Sequence, residues 1–364
     1  MSEKIKVLQV TSGLGTVGTN IFPITVMENL DKHKYKRYFF ITCDNKQFYE
    51  ERVVESGVEI IRGNELNGLK NKLKHFFNLI KILKKEDIDV MHTHMDFFNG
   101  INLLAAFLAK TPIRVCHSHN TESNRGYTKK NYILIIYRFF MRVLINTFST
   151  DKLGCSDEAN KFMYGKKYND AKFIFNGVDL QRFKNNSLLK RDKLINFITI
   201  GRMSEQKNSL FLLNIMKELK ILRDDFILYW VGNGPLMNKI KEQIKIDELY
   251  NNIMLLGMRE DIPILLNKSD FMILPSKWEG LPITLIEAQA SNIPCFISDT
   301  ITDDVNLGLC TKISLKYTAK QWAKKINDFI NNKTYNNSLD LNKLNQFDIK
   351  NTVRQIEKIY SKLD

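Results

Sequence analysis

Paired cysteines are missing from this chain. The five it has, Cys43, Cys116, Cys155, Cys295 and Cys310, are odd in number, far apart and without a C-x-x-C. That argues against a disulfide framework and suits reduced core thiols in a cytoplasm. Long apolar runs are missing as well. The nearest to one, Tyr132 to Ile145 (YILIIYRFFMRVLI), is broken by Arg138 and Arg142 and falls short of the ~18 apolar residues that a span needs. The opening MSEKIKVLQV enters a strand pattern at once, without a signal-peptide core. The expectation is a cytoplasmic chain, soluble or peripheral on the inner face of the plasma membrane. No short repeat, low-complexity tract, zinc finger, RRM or helix-turn-helix pattern occurs, so nucleic acid has only the net charge to recommend it as a partner.

Acidic residues are the other shortage: 40 Asp and Glu face 54 Lys and Arg, a net charge of +14. Residues 1–176 carry +9 of that excess and residues 177–364 carry +5. An acidic partner, whether an anionic membrane or a phosphorylated small molecule, is expected to meet the first half.

What is present is ordinary globular material, 44% hydrophobic and 26% charged over 364 residues, enough for two domains. Short β-branched or aromatic runs alternate with amphipathic segments. One series is Lys6–Val10, Tyr38–Cys43, Val58–Ile61, Asp89–His92, Ile113–Cys116, Lys152–Cys155 and Lys172–Phe175. A second is Asn196–Gly201, Phe226–Val231, Ile253–Leu256, Phe271–Leu274 and Cys295–Ser298. This alternation predicts an α/β chain of two doubly wound, Rossmann-like domains, with ligands at the carboxyl ends of the strands. Boundaries are expected at 1–180, a polar linker 181–194, a second domain 195–345, and a C-terminal helix 346–364 packing back toward the first. Leu69–Lys85 places Leu69, Leu73, Phe76, Ile80 and Leu83 on one helix face, with Lys70, Lys72, Lys74, Lys81, Lys84 and Lys85 largely elsewhere. It reads as a helix on the sheet with a solvated basic back, or as a surface for anionic headgroups that Tyr127–Arg142 would extend.

Chemistry concentrates in LPSKWEGLPITLIEAQASNIPCFIS, Leu274–Ser298. A buried strand ends at Pro275, a loop carries Glu279 and Gly280, and Pro282 suits the first turn of a helix. Glu287 falls on the second turn, with seven residues between it and Glu279. Free N–H groups at that helix start suit a phosphate flanked by two hydroxyl-accepting carboxylates. In ITIGRMSEQKN a strand ends at Gly201, and Arg202 and Lys207 follow before a helix, two cations fit to clamp a diphosphate.

GRMSEQKN, VGNGPL, WEGLPITLIEAQA, FNGVDLQRF and HSHNT, in their order and spacing, resemble the retaining GT-B glycosyltransferases of family 4, closest to bacterial capsule and polysaccharide transferases. The resemblance runs from Lys4 to about Phe329. It implies two domains facing across a cleft, a nucleotide-sugar donor, UDP-linked by preference, and a glycan or polyprenyl-diphosphate-linked acceptor. It implies no metal and no cofactor. Glu279 would accept from donor-sugar hydroxyls, and Glu287 would hold the ribose. Arg202 and Lys207 would neutralise the departing diphosphate, while Gly280 and Leu281 would offer N–H groups. Gly201 would stand beside the donor, and His119 would touch the transferred sugar. The family's Gly-Gly-aliphatic-Glu loop corresponds to Val17–Gly18–Thr19–Asn20, where one Gly and the Glu are absent; Gly18 and Asn20 remain candidates for a phosphate or acceptor contact. The usual Gly after the E-x7-E helix is Asn292, the next best residue for a left-handed cap. A sugar-nucleotide epimerase or hydrolase on the same fold is the alternative enzyme, and a basic nucleic-acid binder the alternative of another class.

Two His-x-His pairs, His92–Thr93–His94 and His117–Ser118–His119, end successive strands, with Cys116 beside the second. Strand alternation turns Cys116 away from His117, which argues against zinc and against a Cys–His nucleophile. His92, His94 and His117 are expected to be cleft or packing residues. Asp87–Ile88–Asp89 has a D-x-D pattern but precedes its strand, so it reads as a helix exit and not as a cation site.

Overall fold

The computed structural model describes residues 3–16, 18–120, 132–184, 194–332 and 338–362. Val17, residues 185–193 of the expected linker, Thr121 and residues 127–131 of the expected lipid surface lie outside them. The chain divides into two compact units, Met1–Gly177 with Phe347–Asp364, and Val178–Gln346.

In the first unit, β1 (Ile5–Thr11), β2 (Tyr35–Ile41), β3 (Glu59–Arg62), β4 (Val90–Thr93), β5 (Ile113–Ser118), β6 (Asp151–Gly154) and β7 (Lys172–Phe173) form a sheet in the order β3-β2-β1-β4-β5-β6-β7. Every pairing is parallel. Successive side chains alternate across it. Val7 joins a core with Phe22, Met27, Val353, Ile356 and Tyr360, whereas Leu8 and Val10 join another with Leu79, Leu83, Met91 and Ile145. The C-terminal helix Ile349–Tyr360 thus covers one face of the first sheet, its buried Val353, Ile356, Ile359 and Tyr360 spaced at one helical stripe.

β2 begins three residues before the apolar run in the sequence suggests. Arg37 interrupts the pattern, but its buried guanidinium donates to the carbonyls of Met27 at 2.6 Å and Ser56 at 2.7 Å. A charge satisfied by carbonyls can lie inside a sheet. The helix Gly68–Lys85 needs a correction: it buries His75, Leu79 and Leu83, while Leu69 is 74% and Leu73 51% exposed. Only the C-terminal half of the proposed stripe reaches the sheet. Asp87 and Asp89 sit at the amino end of β4. The backbone N–H of Lys6 donates to Asp89 at 2.8 Å, and Lys6 pairs with Asp87 at 3.6 Å, so they anchor strand starts.

The second unit repeats the plan with β8 (Ile195–Ile200), β9 (Phe226–Val231), β10 (Ile253–Gly257), β11 (Phe271–Leu274), β12 (Cys295–Ser298) and β13 (Cys310–Ile313), ordered β10-β9-β8-β11-β12-β13 and all parallel. β13 was not expected: it is four residues long, with Lys312 exposed and only Ile313 buried, too short for a periodic signal. Strand order reverses beside β1 and β4 in one sheet and beside β8 and β11 in the other. Those two places collect the loops that follow each strand.

The helix Ile283–Ala290 ends on Asn292 at φ +59. The Ile293 N–H reaches the Ala288 carbonyl at 3.0 Å and the Asn292 N–H reaches Gln289 at 2.8 Å, the Schellman pattern. Asn292→Ala is expected to lower stability by about 1 kcal/mol and Asn292→Gly to leave it nearly unchanged, as read by urea unfolding.

Candidate functional site

In the second unit the loops leaving β8 and β11 stand side by side at the reversal of strand order. Lys207 of the first pairs with Glu279 of the second at 2.6 Å, with only 6% of the Glu279 side chain exposed. The backbone N–H of Lys277 donates to the Gln206 carbonyl at 2.8 Å, the Gln206 amide donates to the Trp278 carbonyl at 3.2 Å, and Lys277 pairs with Glu205. Gly201, Arg202 and Lys207 line one recess with Ser209 and Trp230. Arg202 and Gly280 are exposed, and Leu281 and Glu287 are half-buried.

Pro282 stands one residue earlier than expected, at the helix N-cap with φ −73 and ψ 93, and no side chain caps the N–H groups that follow. Uncapped N–H groups, a buried carboxylate and two cations within adjoining loops suit a phosphorylated ligand with hydroxyls. The VGNGPL stretch supplies the floor. A Cβ on Gly232, at φ +125, would lie 2.2 Å from the Gly201 carbonyl oxygen, and one on Gly234 would lie 2.3 Å from that of Met203. Only glycine lets these loops approach so closely.

In the first unit Gly18 opens the helix Gly18–Asn29 and is exposed. Asn20 is buried, and its Oδ1 accepts from Thr11 Oγ1 at 3.0 Å and Ser12 Oγ at 3.4 Å. That amide oxygen braces the loop after β1.

His92, His94 and His117, read as cleft or packing residues, are buried and converge with His119 into one cluster. His92 Nε2 lies 3.2 Å from His117 Nδ1, and His94 Nδ1 lies 2.7 Å from His119 Nε2. Outward, His92 Nδ1 meets Tyr360 Oη at 2.7 Å and His94 Nε2 meets Gln9 Oε1 at 2.6 Å. Gln9 Nε2 donates to the same Tyr360 hydroxyl at 2.9 Å. Register explains the gathering: Gln9 on β1 is paired with His92 on β4 and Val10 with Thr93, while Thr93 is paired with Cys116 on β5. Side chains two apart share a face, so Gln9, His92, His94, His117 and His119 fall together. The C-terminal helix brings Tyr360. Gln9 and Tyr360 carried no signal in the sequence, because one is a lone amide in an apolar strand and the other closes a helix in the last residues.

Cys116 lies on the other face, as alternation requires, and accepts from Asn99 Nδ2 at 3.3 Å. Burial pushes its thiol up to about 12. Burial pushes His92, His94 and His117 well below the usual imidazole range, neighbouring rings adding to the effect, and takes His119 down to about 3. All four rings are neutral at pH 7. His92, His94 and His117 each offer a nitrogen within 4.8 Å of the others, a loose three-imidazole set. His92 and His94 use both ring nitrogens in hydrogen bonds of the cluster, whereas His117 uses only Nδ1.

Comparison with known proteins gives these positions a frame. Glycosyltransferase Family 4 matches residues 18–182, and Glycosyl transferases group 1 matches residues 181–346. The putative glycosyltransferase EpsF of Bacillus subtilis (strain 168) is 32% identical over 341 residues, covering 89% of this chain and 88% of that one. The Escherichia coli UDP-Gal:alpha-D-GlcNAc-diphosphoundecaprenol alpha-1,3-galactosyltransferase is 33% identical over 62% of each chain. The crystal structure of Anabaena Alr3699/HepE in complex with UDP-glucose aligns with a TM-score of 0.78 at 17% identity, over 98% of this chain and 99% of that one, a likeness of fold.

Neutral rings in the fold imply a pH dependence. Unfolded, each histidine titrates near 6.5. Below that value the unfolded chain binds more protons, so stability is fully present above about pH 6.5 and falls toward pH 3, where His119 itself charges. Each buried ring contributes a slope of up to about 1.4 kcal/mol per pH unit. Urea midpoints at pH 7.5, 6 and 5 are expected to fall in that order, and less steeply in His92→Gln.

Proposed function

This chain belongs to glycosyltransferase family 4, has the GT-B fold and is of the type found in capsular and exopolysaccharide synthesis, and from that premise we propose that it transfers a sugar from a UDP-linked donor with retention. The observation that carries the reading is the Lys207–Glu279 pair where the loops after β8 and β11 adjoin. A leaving diphosphate needs a cation, and a donor sugar needs a carboxylate to accept from its hydroxyls; here the two wait on each other. The C1–O bond to the diphosphate breaks, and C1 bonds to the acceptor oxygen. The acceptor's proton passes to the leaving phosphate on the same face, and UDP departs with its charge met by Arg202 and Lys207. Glu287 holds the ribose, Gly280, Leu281 and Gly201 approach the donor through backbone, and His119 meets a sugar hydroxyl. Neither metal nor cofactor takes part. HepE, solved with UDP-glucose, and the Escherichia coli relative, named for a UDP-galactose donor, support the choice of nucleotide.

The acceptor in this reading is a glycan on a polyprenyl diphosphate, the chemistry named for the Escherichia coli relative. No described helix is long and apolar enough to cross a membrane. The helix Tyr132–Phe148 nevertheless exposes Ile133 at 81%, Ile136 at 56% and Phe140 at 59%. The helix Asn99–Ala109 packs against it and against the lysine-rich helix Gly68–Lys85, which exposes Leu69 and Phe77. Apolar side chains and lysines on adjoining helices suit the headgroup region of an anionic inner leaflet.

Glu287→Ala is expected to raise the donor KM about tenfold or more, and Arg202→Ala to lower kcat by roughly 10²-fold. Radiolabelled-sugar transfer measures both, and wild-type kinetics in the pair would remove the site assignment. Vesicles with phosphatidylglycerol should bind the protein at least about tenfold more tightly than neutral ones; equal co-sedimentation would remove the membrane reading.

A further inference from the structure

The histidine cluster contains more order than a packing role requires. Gln9 Oε1 only accepts, so His94 Nε2 must carry the proton it shares with that oxygen at 2.6 Å. His94 Nδ1 is then bare and accepts from His119 Nε2–H at 2.7 Å. On the other side, Gln9 Nε2 donates to the Tyr360 oxygen at 2.9 Å, and the Tyr360 hydroxyl donates to His92 Nδ1 at 2.7 Å. His92 Nε2–H then donates to His117 Nδ1 at 3.2 Å. With the amide so placed, each of the five links along the chain joins one donor to one acceptor, all six side chains point their protons one way, and the N–H left over is that of His117 at its end. It also leaves each imidazole as Nε2–H, the more stable neutral form of the free side chain.

The chain has two open ends. His119 Nδ1 and His117 Nε2 are buried and have no hydrogen-bond partner, although the two rings stack at 4.2 Å. His117 is 0% exposed and His119 half-buried, so the His119 end lies nearer the surface. We infer that Gln9, His94 and Tyr360 are positioning residues that hold His119 with its proton on Nε2 and a lone pair on Nδ1, an acceptor aimed at a sugar hydroxyl. The use made of that lone pair rests on the transferase reading of His119; the proton's position does not.

Reversing the polarity demands an amide flip and five proton shifts together, which makes the arrangement all-or-none. Cutting the chain removes that protection. In Tyr360→Phe the fully buried Gln9 amide loses its acceptor. A flip of Gln9, with His94 and His119 reversed, moves the unpaired N–H to the more exposed His119 end. Gln9→Met strands His94 Nε2–H, and reversal of the two rings relieves it in the same way. Phe22→Leu disturbs the packing against His94, His117 and His119 but removes no hydrogen-bonding group, so the whole chain stays intact.

The experiment is ¹⁵N-detected tautomer NMR on histidine-labelled protein at pH 7.5, with His119 assigned by His119→Gln, alongside donor kinetics. Wild type and Phe22→Leu should show His119 as Nε2–H alone. Tyr360→Phe and Gln9→Met should each show a second, Nδ1–H form and lose about tenfold in kcat/KM for the donor. A single unchanged Nε2–H form in both variants overturns the inference and leaves the transferase reading standing. One equivalent of zinc in the purified protein also overturns it, since a ligated nitrogen carries no proton. The expected tautomers without transfer from any nucleotide sugar would instead uphold the relay and remove the proposed function.

Discussion

Parallel pairing governs both units. Two adjacent parallel strands cannot be joined by a tight turn, so the chain crosses a face of the sheet before each new strand. Every strand therefore leaves at the same edge, and loops gather where strand order reverses. Gly201 to Lys207 and Pro275 to Gly280 meet there in one unit because β8 and β11 are neighbours. In the other unit the same constraint brings Gln9, His92 and His117 into one layer. The apolar faces follow from it too, since a parallel sheet is buried on both sides and needs a helix layer on each.

The two loops of the candidate site meet through opposite charges. Lys207 and Glu279 satisfy each other at 2.6 Å in a place where little of the carboxylate meets water. A lone buried charge would cost several kcal/mol. A ligand with both a diphosphate and hydroxyls can divide the pair, giving the cation phosphate oxygens and the carboxylate O–H donors. A simple anion compensates only one partner.

Much of the fold was legible because the strands are apolar and the helices amphipathic over ten or more residues. Phe271–Leu274 and Cys295–Ser298 coincide with their sequence runs. Asn292 was readable as a left-handed cap because side-chain chemistry alone decides it. Where reading failed, tertiary partners had overridden local pattern. Arg37 lies in β2 because two carbonyls, one twenty residues away or nearly so, accept from it. Leu69 and Leu73 belong to a helical stripe that outruns the sheet beneath. For the site, the loop cations and glutamates were visible from their order along the chain, whereas the convergence of four histidines depended on strand register, which no single segment encodes.

The return of Phe347–Asp364 to the first unit has a consequence for the order of events in synthesis. All of Val178–Gln346 leaves the ribosome before the helix that covers Val7, Met27 and Phe22 exists. At cellular rates that interval is on the order of ten seconds. During it that face of the first sheet is covered only by helices such as Gly18–Asn29, and Gln9 and His92 have no phenol between them. A chain stopped short of Tyr360 leaves Gln9 and His92 without their shared hydroxyl, and Val7, Phe22 and Met27 without the last residue packed against them.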